Sequence, residues 1–230
     1  YEIIKVEETR KKFDEKERVV FKVFVNLPKG VPAIKDIIKE WDDVESVNEY
    51  DILFVRRYLI DKQLTPLALV KASGVPVQKK LRVPAFKAES IEQANDNILD
   101  SPRVLAVDIE TYNPGGKIAT PSKDPIIMLA VYGDNFQKVL TWKKFKTDAN
   151  YVEVVNSEAD LLERFKDILD EFRPDFVTGY FSDGFDFPFI AARAKKYKVK
   201  MDLGLDYSEL RVSGRNIVTA ETRGFPHVDI

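Results

Sequence analysis

Asp108 and Glu110 close the run Val104-Leu105-Ala106-Val107-Asp108-Ile109-Glu110-Thr111, where an apolar stretch ends in two carboxylates. Side chains alternate faces along a strand, so acids two apart point to the same side. Two such acids repel each other and are costly to desolvate, and a divalent cation relieves both penalties. Hard carboxylate oxygens suit Mg²⁺ or Mn²⁺. The same octapeptide also reads as a solvated strand end that carries an Asp and a Glu. A third acid, Asp186, lies in Gly179-Tyr180-Phe181-Ser182-Asp183-Gly184-Phe185-Asp186-Phe187, which follows a predicted strand and opens a predicted helix. If that strand lies beside the first, Asp186 faces Asp108 and Glu110. Three carboxylates then suffice for two divalent ions roughly 3.5–4 Å apart. Such a pair activates a water and stabilises the charge developing on a phosphodiester. Taken alone, Asp186 reads as a helix cap.

The elements that must position these acids have a clear rhythm. Strands are predicted at 103–109, 126–132 and 137–142, with Gly133-Asp134-Asn135 as a hairpin turn. Asn113-Pro114-Gly115-Gly116 opens a loop that runs to Pro125. Ser157 caps a helix whose stripe is Leu161, Leu162, Phe165, Ile168, Leu169 and Phe172, and Pro174 stops it. A strand over 175–180 and a helix from Phe185 to about Tyr197 follow. The tail 201–230 reads as extended pieces. The expectation is an α/β fold: a ribonuclease H-like mixed sheet with flanking helices, with ligands beyond the carboxyl ends of the strands.

Upstream, strands are expected at 2–9 and 18–26, with a charged excursion over 9–17 between them. A helix with Pro32 in its first turn carries Ile34, Ile37, Ile38 and Trp41. A strand over 44–50 and a short helix capped by Asp51, burying Ile52, Val55, Tyr58 and Leu59, complete a small partial α+β domain. From 64 to 102 the pattern fades among prolines into a connector with extended pieces and a helical turn near 91–98. The expected division is 1–65, a connector at 66–102, and 103–230.

The 230 residues carry 36 Lys and Arg against 38 Asp and Glu, a net charge of −2. Any affinity for nucleic acid must therefore be local. Arg193, Lys195, Lys196, Lys198 and Lys200 are a candidate patch, or simply a solvated helix face. No cysteine and a single histidine exclude disulfides, thiolate sites and histidine-rich zinc sites. No apolar run is long enough for a bilayer, so no membrane partner is expected.

With Asp108-Ile109-Glu110-Thr111 and an aromatic–Asp step at Phe185-Asp186, the chain resembles the proofreading 3′–5′ exonuclease of family B DNA polymerases. Glu49-Tyr50-Asp51-Ile52, Arg57-Tyr58-Leu59-Ile60-Asp61-Lys62, Leu140-Thr141-Trp142 and His227-Val228-Asp229 resemble further stretches of its archaeal members. The resemblance implies that Asp108 and Glu110 bind the metals, with Asp108 bridging both, and that Asp186 holds the second. Thr111 and Phe185 would lie near the 3′-terminal nucleotide. The implied partners are a single-stranded 3′ DNA end, primer-template DNA, the palm, fingers and thumb domains, and a sliding clamp reached through regions not in this sequence. The implied location is cytoplasmic and nucleoid-associated.

The departures are equally specific. Phe181 stands where the family has an Asn, and the family's third motif, a Tyr with an Asp four residues on, is absent. The expectation is an N-terminal fragment, truncated before that motif and lacking the polymerase active site. Pro28, Val31 and Ile52 match positions that line a uracil-capturing pocket in archaeal relatives, or are ordinary core and turn residues. Two rivals remain open. One is an inactivated relative serving as a DNA-binding or structural domain. The other is a free-standing nuclease in which Asp183 or Asp229 supplies the missing acid.

Overall fold

The computed structural model describes every residue except Asp14, Lys117 and 215–217. Parts of the expected excursion at 9–17, the loop to Pro125 and the tail thus lie outside the described residues. The chain forms two compact units, residues 1–72 with 90–98, and residues 73–89 with 99–230.

In the first unit, β1 (Ile3–Phe13) and β2 (Lys16–Val25) pair antiparallel, Phe13 opposite Lys16. The ladder runs through residues expected to be a polar excursion. Cross-strand hydrogen bonding tolerates charges on a ribbon open to solvent, so charge density alone does not end a strand. A 3-10 turn at Pro28–Gly30 leads into α1 (Val31–Ile38), where Pro32 sits in the first turn and Ile34 is buried. Ile37 and Trp41 are exposed, so only part of the expected stripe is used. No strand forms at 44–50 among the described residues. α2 (Phe54–Lys62) starts after Leu53 with no side-chain cap, so Asp51 does not cap it. None of its residues is fully buried, and Val55 and Tyr58 are exposed. Its ends are held by charge instead: Arg57 bonds Asp61 one turn on, at 2.8 Å, and Glu49, while Lys22 reaches Asp61 at 2.6 Å.

The stretch expected as a connector is a hairpin. β3 (Ala68–Val77) pairs with β4 (Ala85–Ile98), and 91–98 is strand rather than a helical turn. Pairing with β3 along the fourteen-residue β4 outweighs the weak helical preference of that segment.

The second unit is built on a six-stranded mixed sheet in the order β12-β9-β5-β6-β7-β8. The strands are β5 (Val104–Thr111), β6 (Ile126–Gly133), β7 (Phe136–Thr141), β8 (Val152–Val154), β9 (Phe176–Gly179) and β12 (His227–Asp229). β10 (Arg211–Ser213) and β11 (Thr219–Glu221) make a small separate ribbon. β5, β6 and β7 are antiparallel; β9 joins β5 in parallel, Leu105 opposite Val177. The crossover is α3 (Glu158–Phe172), whose Ser157 hydroxyl accepts the Asp160 N–H, as expected of the cap. All six apolar positions of its stripe are buried against Leu105, Val107, Leu129 and Leu140. α4 (Asp186–Tyr197) adds Phe187, Phe189 and Ile190 to this core. The expected α/β plan is thus the observed one in this unit.

Arg193, expected in a surface patch, is buried instead. Its guanidinium bonds Glu158 at 2.6 Å through Nε and a second time through an Nη, and donates to the Pro121 carbonyl. The other Glu158 contacts are the Ile126 N–H and the Tyr197 hydroxyl, so every lone pair of this buried carboxylate is engaged. Among the described residues no helix is long and apolar enough to cross a membrane.

Candidate active site

β5 buries Leu105, Val107 and Ile109 and turns Asp108 and Glu110 outward on the opposite face, as strand alternation requires. β9 stops at Gly179 while β5 runs on, with pairing recorded only as far as Ala106 opposite Thr178. The Ile109 N–H therefore has no strand partner on that side. Asp186 takes it, its Oδ1 accepting the bond at 2.9 Å. Asp186 is the first residue of α4 and not its cap, since Phe185 holds the cap position without a side-chain bond. The sheet thus brings Asp186 to the strand that carries Asp108 and Glu110.

The Asp186 side chain is buried, and burial pushes its carboxyl up to about 6. The Ile109 N–H opposes this shift, while the charges of Asp108 and Asp229 add to it. A buried carboxylate facing like charges is an electrostatic deficit that a hard divalent cation fills. By donor type and field, Asp108, Glu110 and Asp186 fit Mg²⁺ or Mn²⁺. Among the described residues, however, no three His, Cys, Asp or Glu side chains converge closely enough to cage an ion.

Thr111 ends β5 half-buried, out of register with β6. Phe185 is half-buried, its ring 5.3 Å from that of Phe189. Pro28 is exposed, and Val31 and Ile52 are half-buried. The groove in that first unit is lined by Leu53, Val55, Leu59, Leu64 and their neighbours, not by these three.

Sequence reasoning missed a network under the 180–185 turn. The Ser182 N–H donates to Asp229 Oδ1 at 2.7 Å, with the Ser182 Oγ 3.2 Å from the same oxygen. That Oγ lies 2.8 Å from His227 Nε2, and His227 Nδ1 lies 3.0 Å from Asp183 Oδ1. Asp183 Oδ1 also accepts the Ala220 N–H at 2.6 Å. Phe187 closes on the imidazole edge-on at 4.5 Å. A Ser–His–Asp series at these spacings has the geometry of a nucleophilic triad. Ser182 is fully buried, though, and no substrate can reach it. The network is a tie: β12 fixes the turn from which Asp186 follows. Asp183 and Asp229 are committed to it as acceptors. The signal was present in the sequence as Ser182-Asp183 and His227-Val228-Asp229, but nothing local links segments 45 residues apart.

This sheet, with its acids at the exposed end of β5 and at the start of α4, is that of a known class. The chain belongs to the exonuclease domain family of DNA polymerase family B, whose model it matches over residues 45–227. The DNA polymerase of Pyrococcus glycovorans is 37% identical over 230 residues, 99% of this chain and 25% of that protein. DNA polymerase 1 of Pyrococcus abyssi is 35% identical over the same share. The family B DNA polymerase of the hyperthermophilic archaeon Pyrobaculum calidifontis superposes with a TM-score of 0.75 at 27% identity, over 99% of this chain and 28% of that one. The archaeal resemblance is borne out, and the chain spans about a quarter of the length of these relatives.

Proposed function

We propose that this chain is the exonuclease-bearing part of a DNA polymerase and that its site hydrolyses the last phosphodiester of a single-stranded 3′ end. The observation that carries the reading is the Asp186–Ile109 hydrogen bond, which joins the start of α4 to the strand of Asp108 and Glu110. Asp108, Glu110 and Asp186 would hold the divalent ions. Bound there, Mg²⁺ or Mn²⁺ supplies an activated water and charge stabilisation at the phosphate. The protein's own part is orientation. β5 presents two carboxylates on one face, Ile109 fixes the rotation of the third, and the turn tied to β12 fixes its backbone. Thr111 and Phe185 flank the terminal nucleotide. In the whole protein the partners are primer-template DNA, the palm, fingers and thumb, and a sliding clamp.

A second reading, an inactive relative that only binds DNA, is favoured by the carboxylates not converging into a cage and by Phe181 at the family's Asn position. One assay separates the two readings. The chain is incubated with a single-stranded oligonucleotide and Mn²⁺ beside Asp108→Ala. Shortening from the 3′ end that disappears in the variant is expected. Intact DNA with this chain and with a longer one carrying the following residues of the gene selects the inactive relative.

A further inference from the structure

Tyr180 and Phe181 follow β9 directly and are 84% and 60% exposed. Phe181 has φ +52°, a left-handed conformation disfavoured for a bulky residue. The tip of its ring rests against Gly184, where a Cβ would collide with it. Glycine thus clears a seat for one part of the ring and leaves the rest in solvent. The seat is rigid. The Phe181 N–H donates to the Ile230 carbonyl at 3.2 Å, and the Phe181 carbonyl accepts from both Gly184 and Phe185. Ser182, next in the chain, is locked to Asp229 and His227. The Phe185 bond puts this aromatic step one turn ahead of Asp186.

Core packing does not explain an exposed ring held in a disfavoured backbone conformation, and a phenyl side chain offers no hydrogen bond that would favour that conformation as an Asn side chain does. An unpaired base is a flat apolar surface that stacks on aromatic side chains whatever its identity. We infer that Phe181, with Tyr180 beside it, is a stacking platform for an unpaired base of the strand whose 3′ end lies at Asp108, Glu110 and Asp186. The assignment rests on the hydrolytic reading for the strand's polarity, but binding can be read without cleavage.

The test uses the 230-residue chain in EDTA with a single-stranded oligonucleotide carrying 2-aminopurine near its 3′ end. Fluorescence reports stacking, and titration reports affinity. Phe181→Asn is the informative variant, because Asn accepts the left-handed conformation but offers no ring. Its melting temperature should equal or exceed that of the parent, while affinity falls about 5- to 150-fold, the range for loss of one stacked base. Phe181→Tyr should retain the quenching. Equal quenching and affinity in the parent and in Phe181→Asn, or no quenching by the parent, overturns the platform. Quenching that depends on Phe181, where neither this chain nor the longer one cleaves DNA with Mn²⁺, keeps the platform and overturns the hydrolytic reading alone.

Discussion

Asp186 is a charge held where it is not comfortable unless a cation accompanies it. Without divalent ions at pH 7, Asp186→Asn should stabilise the second unit by on the order of 1–3 kcal/mol, the cost of burying such a charge beside others. The Asn Oδ1 can still accept the Ile109 N–H. Adding Mn²⁺ should raise the melting temperature of the parent more than that of the variant, which keeps Asp108 and Glu110 but lacks the third carboxylate, as calorimetry would show. A variant that melts lower than the parent in EDTA would sink the claim. At this scale the sequence was half legible. Alternation put Asp108 and Glu110 on one face from their spacing alone. The partnership with Asp186 hung on where β9 pairs and where it stops, which is a property of the sheet. Phe181 stands out in the sequence only as an apolar residue at the family's Asn position; the backbone twist and the seat at Gly184 are conformational and have no signature in residue type.

Elements with strong apolar periodicity formed as expected, and those held by charge did not. α3 has a cap, a full stripe and a terminal proline, and each signal acts locally. α2 has exposed Val55 and Tyr58 and owes its order to Arg57, Asp61 and Lys22, contacts that no helical wheel reveals. The Glu158–Arg193 pair has no sequence signature for a similar reason: Arg193 reads as part of a charged surface patch, and its partner lies 35 residues away. That pair joins α3, α4 and the start of β6. Glu158→Gln should strand a buried guanidinium at a cost of about 3–5 kcal/mol. For a unit of this size the melting temperature would fall by roughly 10 °C. A shift under about 2 °C would mean that the pair is effectively solvated.

The two units differ in what holds them. The second buries a continuous apolar core, whereas Ile34 and Leu64 are the buried large hydrophobics of the first among the described residues. The first unit leans on ion pairs, and their pH dependence has a definite sign. Hydrogen bonding by Arg57, then Lys22, holds Asp61 down at about 2, and Arg57 and Lys11 lower Glu49. A depressed carboxylate stabilises fully above its ordinary pKa, and that contribution is lost as pH falls through the native value. Acidification from about pH 4 to 2 should therefore loosen the first unit before the second, with amide exchange in β1, β2 and α2 outpacing that in β5, β6 and α3. Because these pairs are partly solvated, the loss is modest. Uniform protection across both units at pH 3 would contradict this.

The chain enters the second unit at Ser73, leaves it after Glu89 and returns at Leu99. The excursion carries Arg82, whose guanidinium caps the carbonyls of Asp202 and Gly204 and meets Asp170 on α3. A cut at the apparent seam near residue 99 thus yields an incomplete second unit, with two acceptors stripped of their donor and a helix of its counter-ion. Anyone wishing to handle that half alone must keep the hairpin tip with it, because the border in space is not a border in the gene.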